Sequence, residues 1–372
     1  MDQKLNLLVI SLIFVALAVT AVSVNSEPQT ETTCNSCSDC SAKLNGDYDK
    51  VTLTNDLINQ NDCIIFSSSN VEFDCDNHLI DGDSTTNNIF GVFMYNKNGN
   101  MVNNCRIEDY IQPDSAAIYL WNSNNNFIQS NTLRYNIKSL LIETSLGNIV
   151  TENDISNNEN GIHFAGACSG NEFYNNNIIL NNQNVVDDNS NIFNSGYYSG
   201  GNYWGSCTDL VNNEYPEIQT PDGKCDSAYV IDGDSQDNYP YPVADGWDIN
   251  FAPVITELEY ASIVREMGTV SIYVDAIDPN GDEINYNIND DDRFDTILGD
   301  SATFEWETGP QDSGVYPFAV TVDDTTDYTQ SDPIIITVEN TCKKFNKKYF
   351  LWDCQMVYDS PQSKLLNQEA IY

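Results

Sequence analysis

Apolar positions in the first two thirds of the chain fall in short runs separated by Asn-rich polar corners, and the runs repeat. Five segments align without gaps: Asn100 to Ile107 (NMVNNCRI), Asn126 to Leu133 (NFIQSNTL), Asn148 to Ile155 (NIVTENDI), Asn171 to Ile178 (NEFYNNNI) and a shorter echo from Asn191 (NIFNSG). They share the pattern N-h-h-x-x-N-x-h, and the leading Asn recurs at intervals of 26, 22, 23 and 20 residues. Each interval holds a second apolar strand: GVFMYN from Gly91, AIYLWN from Ala117, LLIET from Leu140, GIHFAG from Gly161 and VVDDN from Val185. Short strands, polar corners and almost no helix signal at this period predict the coils of a parallel β-helix. Leucine-rich repeats share the period but need a Leu framework that is absent. In such a stack successive coils lie about 4.8 Å apart, so equivalent side chains form ladders. An Asn at a corner tolerates left-handed backbone angles, and its amide can donate and accept along the stack. Asn100, Asn126, Asn148 and Asn171 are therefore expected to form one ladder.

The pattern changes near Asn250. From Phe251 to Asn340 apolar and polar residues alternate, as in TVSIYVDAID, ATFEWET and YPFAVTVDD, between Asp-Pro-Asn-Gly, Thr-Gly-Pro and Asp-Ser-Gly turns. Six or seven short strands in this span predict an immunoglobulin-like β-sandwich, which makes the whole chain all-β. At the start, Lys4 precedes an uncharged apolar run from Leu7 to Val24 with small residues at its end, the pattern of a signal peptide or N-terminal anchor. The expected organisation is a signal segment (1–26), a Cys-rich segment (27–49), a β-helix with its cap (50–247), the sandwich (248–340) and a basic tail (341–372) carrying Lys343, Lys344, Lys347 and Lys348.

Composition narrows the partners. With 56 acidic against 15 basic residues in 372, the net charge is -41, which argues against nucleic acid or an anionic bilayer; membrane contact is expected only through an uncleaved N-terminal segment. Asn occurs 49 times, and none of these stands in an N-x-[ST] sequon, so the excess reads as structural. Eleven cysteines in an exported chain read as disulfides rather than metal ligands. Cys34, Cys37 and Cys40 form a C-x-x-C-x-x-C cluster, Cys207 with Cys225 and Cys342 with Cys354 are plausible local pairs, and the odd total leaves at least one thiol over.

Residues 50 to 247 resemble the NosD-like right-handed β-helix family. The resemblance rests on NVEFDCDNHLIDGD (Asn70 to Asp83), similar to a first coil, and on GNYWGS (Gly201 to Ser206) with PDGKCDSAYVIDGDSQDNYPYP (Pro221 to Pro242), similar to a closing cap. It implies an exported archaeal-type or bacterial surface protein and a shape rather than one chemistry, since members span copper-centre maturation, sugar epimerisation and surface proteins. The stretch Asp275 to Asp282 and the phrase DSGVYPFAVTVDD resemble PKD and cadherin-like modules.

If AIYLWN points Ile118 and Leu120 inward, Tyr119 and Trp121 point outward. The same register places Phe93, Leu141, His163 and Val186 in one outer row, and Tyr95, Trp121, Glu143, Ala165 and Asp188 in the next. Outward aromatics suit stacking on sugar rings, with Glu143 and His163 as polar contacts, unless a loop or the sandwich covers them. An enzyme would need paired carboxylates or an Arg or Lys base. Glu143 with Asp188, or Arg106 and Arg134 read as equivalent positions one coil apart, are the candidates, with Lys97 and Lys138 the other cations of the coils. Calcium is the one cofactor considered, with Asp275, Asp278 and Asp282, or Asp232, Asp234 and Asp237, as oxygen donors. His78 and His163 lie in separate coils and give no metal triad. The expected role is recognition or structure at the cell envelope, secreted or surface-bound, with a glycan or other envelope component as partner. The alternative is a carbohydrate-active lyase, epimerase or hydrolase.

Overall fold

The computed structural model describes residues 30–187, 190–207, 223–289 and 291–340. Its first unit is a parallel β-solenoid of about seven turns. Each coil runs through three short strands that pair, in parallel, with their equivalents in the coils on either side. The first face includes Glu72–Asp74, Met101–Asn103, Phe127–Gln129, Ile149–Thr151 and Ser169–Tyr174. The second includes Leu79–Gly82, Arg106–Glu108, Thr132–Arg134, Asp154–Ser156 and Asn177–Ile179. The third includes Phe90–Tyr95, Ala116–Trp121, Lys138–Glu143, Asn160–Ala165 and Gln183–Val186. One inward residue per short strand builds the core in columns: Phe73, Val102, Ile128, Val150 and Phe173 on the first face, and Ile80, Ile107, Leu133, Ile155 and Ile178 on the second. All ten are fully buried. Each such side chain contributes about 1.5–3 kcal/mol by leaving water.

The corners explain the Asn content, and they hold three amide ladders rather than the single expected one. In the first, Asn126 Nδ2 donates to Asn148 Oδ1 (3.0 Å), Asn148 to Asn171 (2.8 Å) and Asn171 to Asn191 (2.8 Å), while the Asn100 backbone N–H donates to Asn126 Oδ1 (2.9 Å). The second runs through Asn131, Asn153, Asn176 and Asn202. The third runs through Asn136, Asn158 and Asn181. At the start of the second ladder Cys105 stands in the Asn position, bonded to Cys75 one coil above, so a covalent bridge replaces the amide link. From Asn126, Asn131 and Asn136 onward the ladder amides donate toward the next coil, and the last of each row ends on another oxygen acceptor: Asn181 on Asn184 Oδ1 (3.1 Å), and the other two on carboxylates. Asp187 meets Asn191 at 3.1 Å, and Asp237 meets Asn202 at 3.3 Å. These carboxylates close their rows as an anion closes a helix N-terminus, facing the positive end of aligned dipoles.

The ladder Asn residues are not themselves left-handed, contrary to expectation. In most cases the residue before is: Ser130, Glu152 and Asn175 (φ 55° to 58°) precede Asn131, Asn153 and Asn176, and Tyr135, Asn157 and Leu180 (φ 58° to 59°) precede Asn136, Asn158 and Asn181. Turning the chain and carrying the amide are thus divided between neighbours. A left-handed Leu, Tyr or Glu costs about 1–2 kcal/mol. The stack tolerates it because the following amide is held by several bonds.

A short helix, Cys37–Lys43, which the sequence did not suggest, covers the first coil with the buried Cys40 and Leu44. Cys34–Cys40 and Cys37–Cys63 staple it there, so the C-x-x-C-x-x-C cluster is a disulfide cap. Cys207 pairs with Cys225, as read from spacing. Cys342 and Cys354 lie outside the described residues. Cys168 keeps its thiol, buried where the coils above place Ser123 and Ser145, and donates toward the Ile142 and Ala165 carbonyls.

The second unit, from Val254 to Glu339, is a β-sandwich. One four-stranded antiparallel sheet contains Val254–Tyr260, Thr269–Ile277, Asp295–Leu298 and Ala302–Glu307. Two three-stranded sheets complete it, one with Gly314–Phe318 and Ile334–Glu339, the other with Asn285–Ile288 and Val320–Asp323. Alternating residues such as Val270, Ile272, Val274, Phe304, Trp306, Val320 and Ile336 form its separate core.

Candidate functional site

The third face of the solenoid carries the outer aromatic rows. Its register pairs Phe93 with Tyr119, Tyr119 with Leu141, Leu141 with His163 and His163 with Val186, and in the next row Tyr95 with Trp121, Trp121 with Glu143 and Glu143 with Ala165. Both rows stand as the alternation placed them; Asp188 lies outside the described residues. One ring was missed. Phe90 also faces outward, because Gly91 and Val92 both turn inward where the strand leaves its corner and the period of two breaks; the Gly91 backbone lies against Ile107 and Tyr110. Phe90 packs on Tyr119 at 4.9 Å and on Phe93 at 5.3 Å.

The patch has a closed half and an open half. Phe90, Ala116, Tyr119 and Leu141 form a small buried cluster beside the main core. Tyr95 and Trp121, with ring centroids 4.7 Å apart and planes inclined by 47°, are 46% and 40% exposed. Coil spacing dictates this: side chains stacked at one strand separation cover each other's faces, and the tilt leaves part of the indole open. The Tyr119 hydroxyl donates to Glu143 Oε2. Burial and that carboxylate neighbour push the Tyr119 phenol well above its usual range, so it stays protonated and donating.

The other candidates are placed differently. Arg106 pairs in register with Thr132, and Arg134 with Glu108, so the two arginines are not equivalent positions. The repeat itself sets Arg106 opposite Thr132, so the expected equivalence fails, and Arg134 lies two residues further along its strand. Both approach Glu108 at 3.6 Å, and Arg134 also reaches Asp154 at 3.8 Å, so they serve a surface ion-pair group. Lys138 approaches Asp114 at 3.9 Å. His78 meets Asp56 at 3.2 Å, far in the fold from His163 on the third face.

Of the acidic groups in the cap, Asp232 accepts from the N–H groups of Asp234 and Ser235. Asp237 accepts from Asn202 N–H (2.6 Å), Trp204 Nε1 (2.9 Å) and Tyr239 N–H (3.0 Å) as well as from the Asn202 amide. Burial pushes Asp237 up to about 6, and these four donors hold it below neutrality, so at pH 7 it is the charged end of its ladder. In the sandwich, Asp275 Oδ1 accepts from the Ala276 N–H. Asp278 is buried; its Oδ1 accepts from Asn280 and Asp282 N–H groups, and its Oδ2 has no hydrogen-bond partner. Among the described residues no group of three or more His, Cys, Asp or Glu side chains is arranged to hold a metal ion.

A family model described as "Periplasmic copper-binding protein (NosD)" matches residues 8–208, more than half of the chain. The chain belongs to the NosD family. No curated protein matches it. The family's periplasmic description places the protein outside the cytosol, exported or at the cell surface, and the disulfides suit an oxidising compartment. No described helix is long and apolar enough to cross a membrane.

The family's description names copper. Copper sites gather imidazole, thiolate or thioether ligands at one point. Here Met94 is fully buried in the core, Met101 is on the first face, Cys168 is buried with its thiol pushed up by desolvation, and the two histidines are in separate coils. The described residues of this NosD member do not fit a copper centre.

Proposed function

We propose that this NosD-family protein recognises carbohydrate at the cell envelope through the open half of its third face. The observation that carries the reading is the exposed Tyr95–Trp121 pair, stacked against Glu143 of the next coil, with His163 one coil further on in the adjoining row. A tilted indole supplies an apolar surface for the C–H face of a sugar, and the neighbouring carboxylate accepts from its hydroxyls. Because the rings are fixed by strand pairing, little side-chain freedom is lost on binding. The charge of -41 favours neutral over anionic polymers.

Glycan-array binding followed by product analysis tests this. Trp121→Ala should abolish binding while the wild-type protein leaves the bound polymer intact. A polymer that is cleaved or epimerised, with turnover abolished by Glu143→Gln or Arg134→Ala, would establish the enzymatic alternative instead.

A further inference from the structure

A cleft of about 360 Å³ lies where the solenoid cap meets the sandwich. Its solenoid wall includes Tyr174, Tyr198 and Trp247; Asn280 and Asp282 come from the sandwich, and Asp248 lies beside the indole. We propose that this cleft is a second binding site, for a neutral saccharide. It stands independently of the aromatic face and shares no residue with it.

Three observations point to this ligand class. The lining combines aromatic rings with carboxylates and amides and contains no Lys, Arg or His, and Lys224 is buried over the Tyr241 ring (4.4 Å), so the cleft offers no exposed cation to a phosphate, sulfate or uronate. Domain junctions are a preferred place for small-molecule sites, and this volume admits one or two sugar units. The walls are also fixed in advance. The turn Gly246–Asp248 that carries Trp247 is tied to the solenoid by a reciprocal pair, Asn177 Nδ2 to Asp245 Oδ1 (2.7 Å) and Asp245 N–H to Asn177 Oδ1 (3.1 Å). Trp247 meets Tyr241 edge-on at 5.8 Å, and the Tyr241 hydroxyl is held by Asn175 and the Ser199 carbonyl.

The opposite wall is pinned to the same frame. Asn280 accepts from the Phe251 N–H (2.8 Å) and donates to the Ile249 carbonyl (2.9 Å), clamping the connecting segment; Asn250 donates to Asp324 (2.9 Å). Gly281, at φ 84°, lies against the Tyr198 ring so closely that a Cβ would meet it at 3.2 Å. Preorganisation of this kind raises affinity by removing ordering costs at the moment of binding. Asn280 therefore shapes the cleft, while the indole of Trp247 and the carboxylates of Asp248 and Asp282 remain to meet a ligand.

The test is calorimetric titration of the full chain with cellotriose, maltotriose, chitotriose, a glucuronate trimer and choline. The proposal expects at least one neutral trisaccharide to bind. Affinity should fall at least tenfold in Trp247→Ala and in Asp248→Asn, two substitutions at the cleft surface, and remain unchanged in Trp121→Ala. Near-ultraviolet circular dichroism checks that each variant keeps its fold, and Asp248→Asn serves where Trp247→Ala does not. Failure of every neutral trisaccharide to bind, preference for glucuronate or choline, or binding insensitive to Asp248→Asn and Trp247→Ala overturns the proposal. Loss in Trp121→Ala alone would leave the aromatic-face reading standing without this one.

Discussion

Replacing Asn153 with Ala tests whether the amide ladders stabilise the solenoid. Asn153 Oδ1 accepts from the Asn131 N–H (2.9 Å) and Asn131 Nδ2 (3.0 Å), while its own Nδ2 donates to Ile128 and Thr151 carbonyls (2.8 Å each) and to Asn176 Oδ1 (2.9 Å). The substitution removes all five bonds and leaves the Asn131 N–H buried without a partner. At about 1 kcal/mol net for each of the other four bonds, with the orphaned donor costing about 1–3 kcal/mol, the expected loss is about 5–7 kcal/mol. Neighbouring Asn157 is exposed and left-handed at φ 59°, so Asn157→Ala should cost only about 1 kcal/mol through its backbone angle. Urea denaturation followed by circular dichroism measures both, provided the m-value is unchanged. If Asn153→Ala costs no more than Asn157→Ala, the ladders are a by-product of stacking and the reasoning fails.

Further outcomes follow from other features. Leu180 holds φ 58° with its side chain 74% exposed, so Leu180→Asn should raise stability by about 0.5–1 kcal/mol, read as a higher denaturation midpoint; an unchanged or lower midpoint would contradict the assigned backbone. The Cys75–Cys105 bridge closes a separation of 30 residues, and replacing both with Ser should cost about 3–4 kcal/mol in chain-entropy terms, measured against the same protein under oxidising conditions. Asp237 is raised from the ordinary 3.8 to about 6, so its contribution is full below about pH 4 and declines as pH rises through 6. In the stability difference between wild type and Asp237→Asn, which cancels the other titrating groups, a decline of about 3 kcal/mol is expected between pH 4 and 6, then a plateau. A difference independent of pH would show that Asp237 titrates normally.

How much of this was legible depended on what each residue reports. The spacing of Asn100, Asn126, Asn148 and Asn171 exposed the coil because a ladder residue has one purpose, to meet its copy above and below, and so keeps its identity. The left-handed positions keep only their backbone angle; Glu152, Tyr135 and Leu180 share no side-chain chemistry, so nothing in their identity marks the turn. Outer rows were readable wherever strict alternation held, from Phe93 to Tyr95 and from Tyr119 to Trp121, and unreadable at Phe90, where the strand turns a corner. Arg106 and Arg134 share residue type but not position: the Asn-anchored repeat sets Arg106 opposite Thr132, as the strand pairing does, so likeness of charge alone misled. The junction cleft could not be read at all. It joins Tyr174, Tyr198, Trp247 and Asn280, which only the meeting of two units brings together.

The central claim is that one complete coil is the structural unit between Asn100 and Asn191. Deleting residues 126–147, one interval of 22, should bring Asn100 directly over Asn148 and leave a folded protein with unchanged β-type circular dichroism, cooperative unfolding and somewhat lower stability. Deleting residues 126–136, half of that interval, should throw every later amide out of line and prevent folding. If the whole-coil deletion fails to fold, or the half-coil deletion folds equally well, the chain is not built of stacked, interchangeable turns.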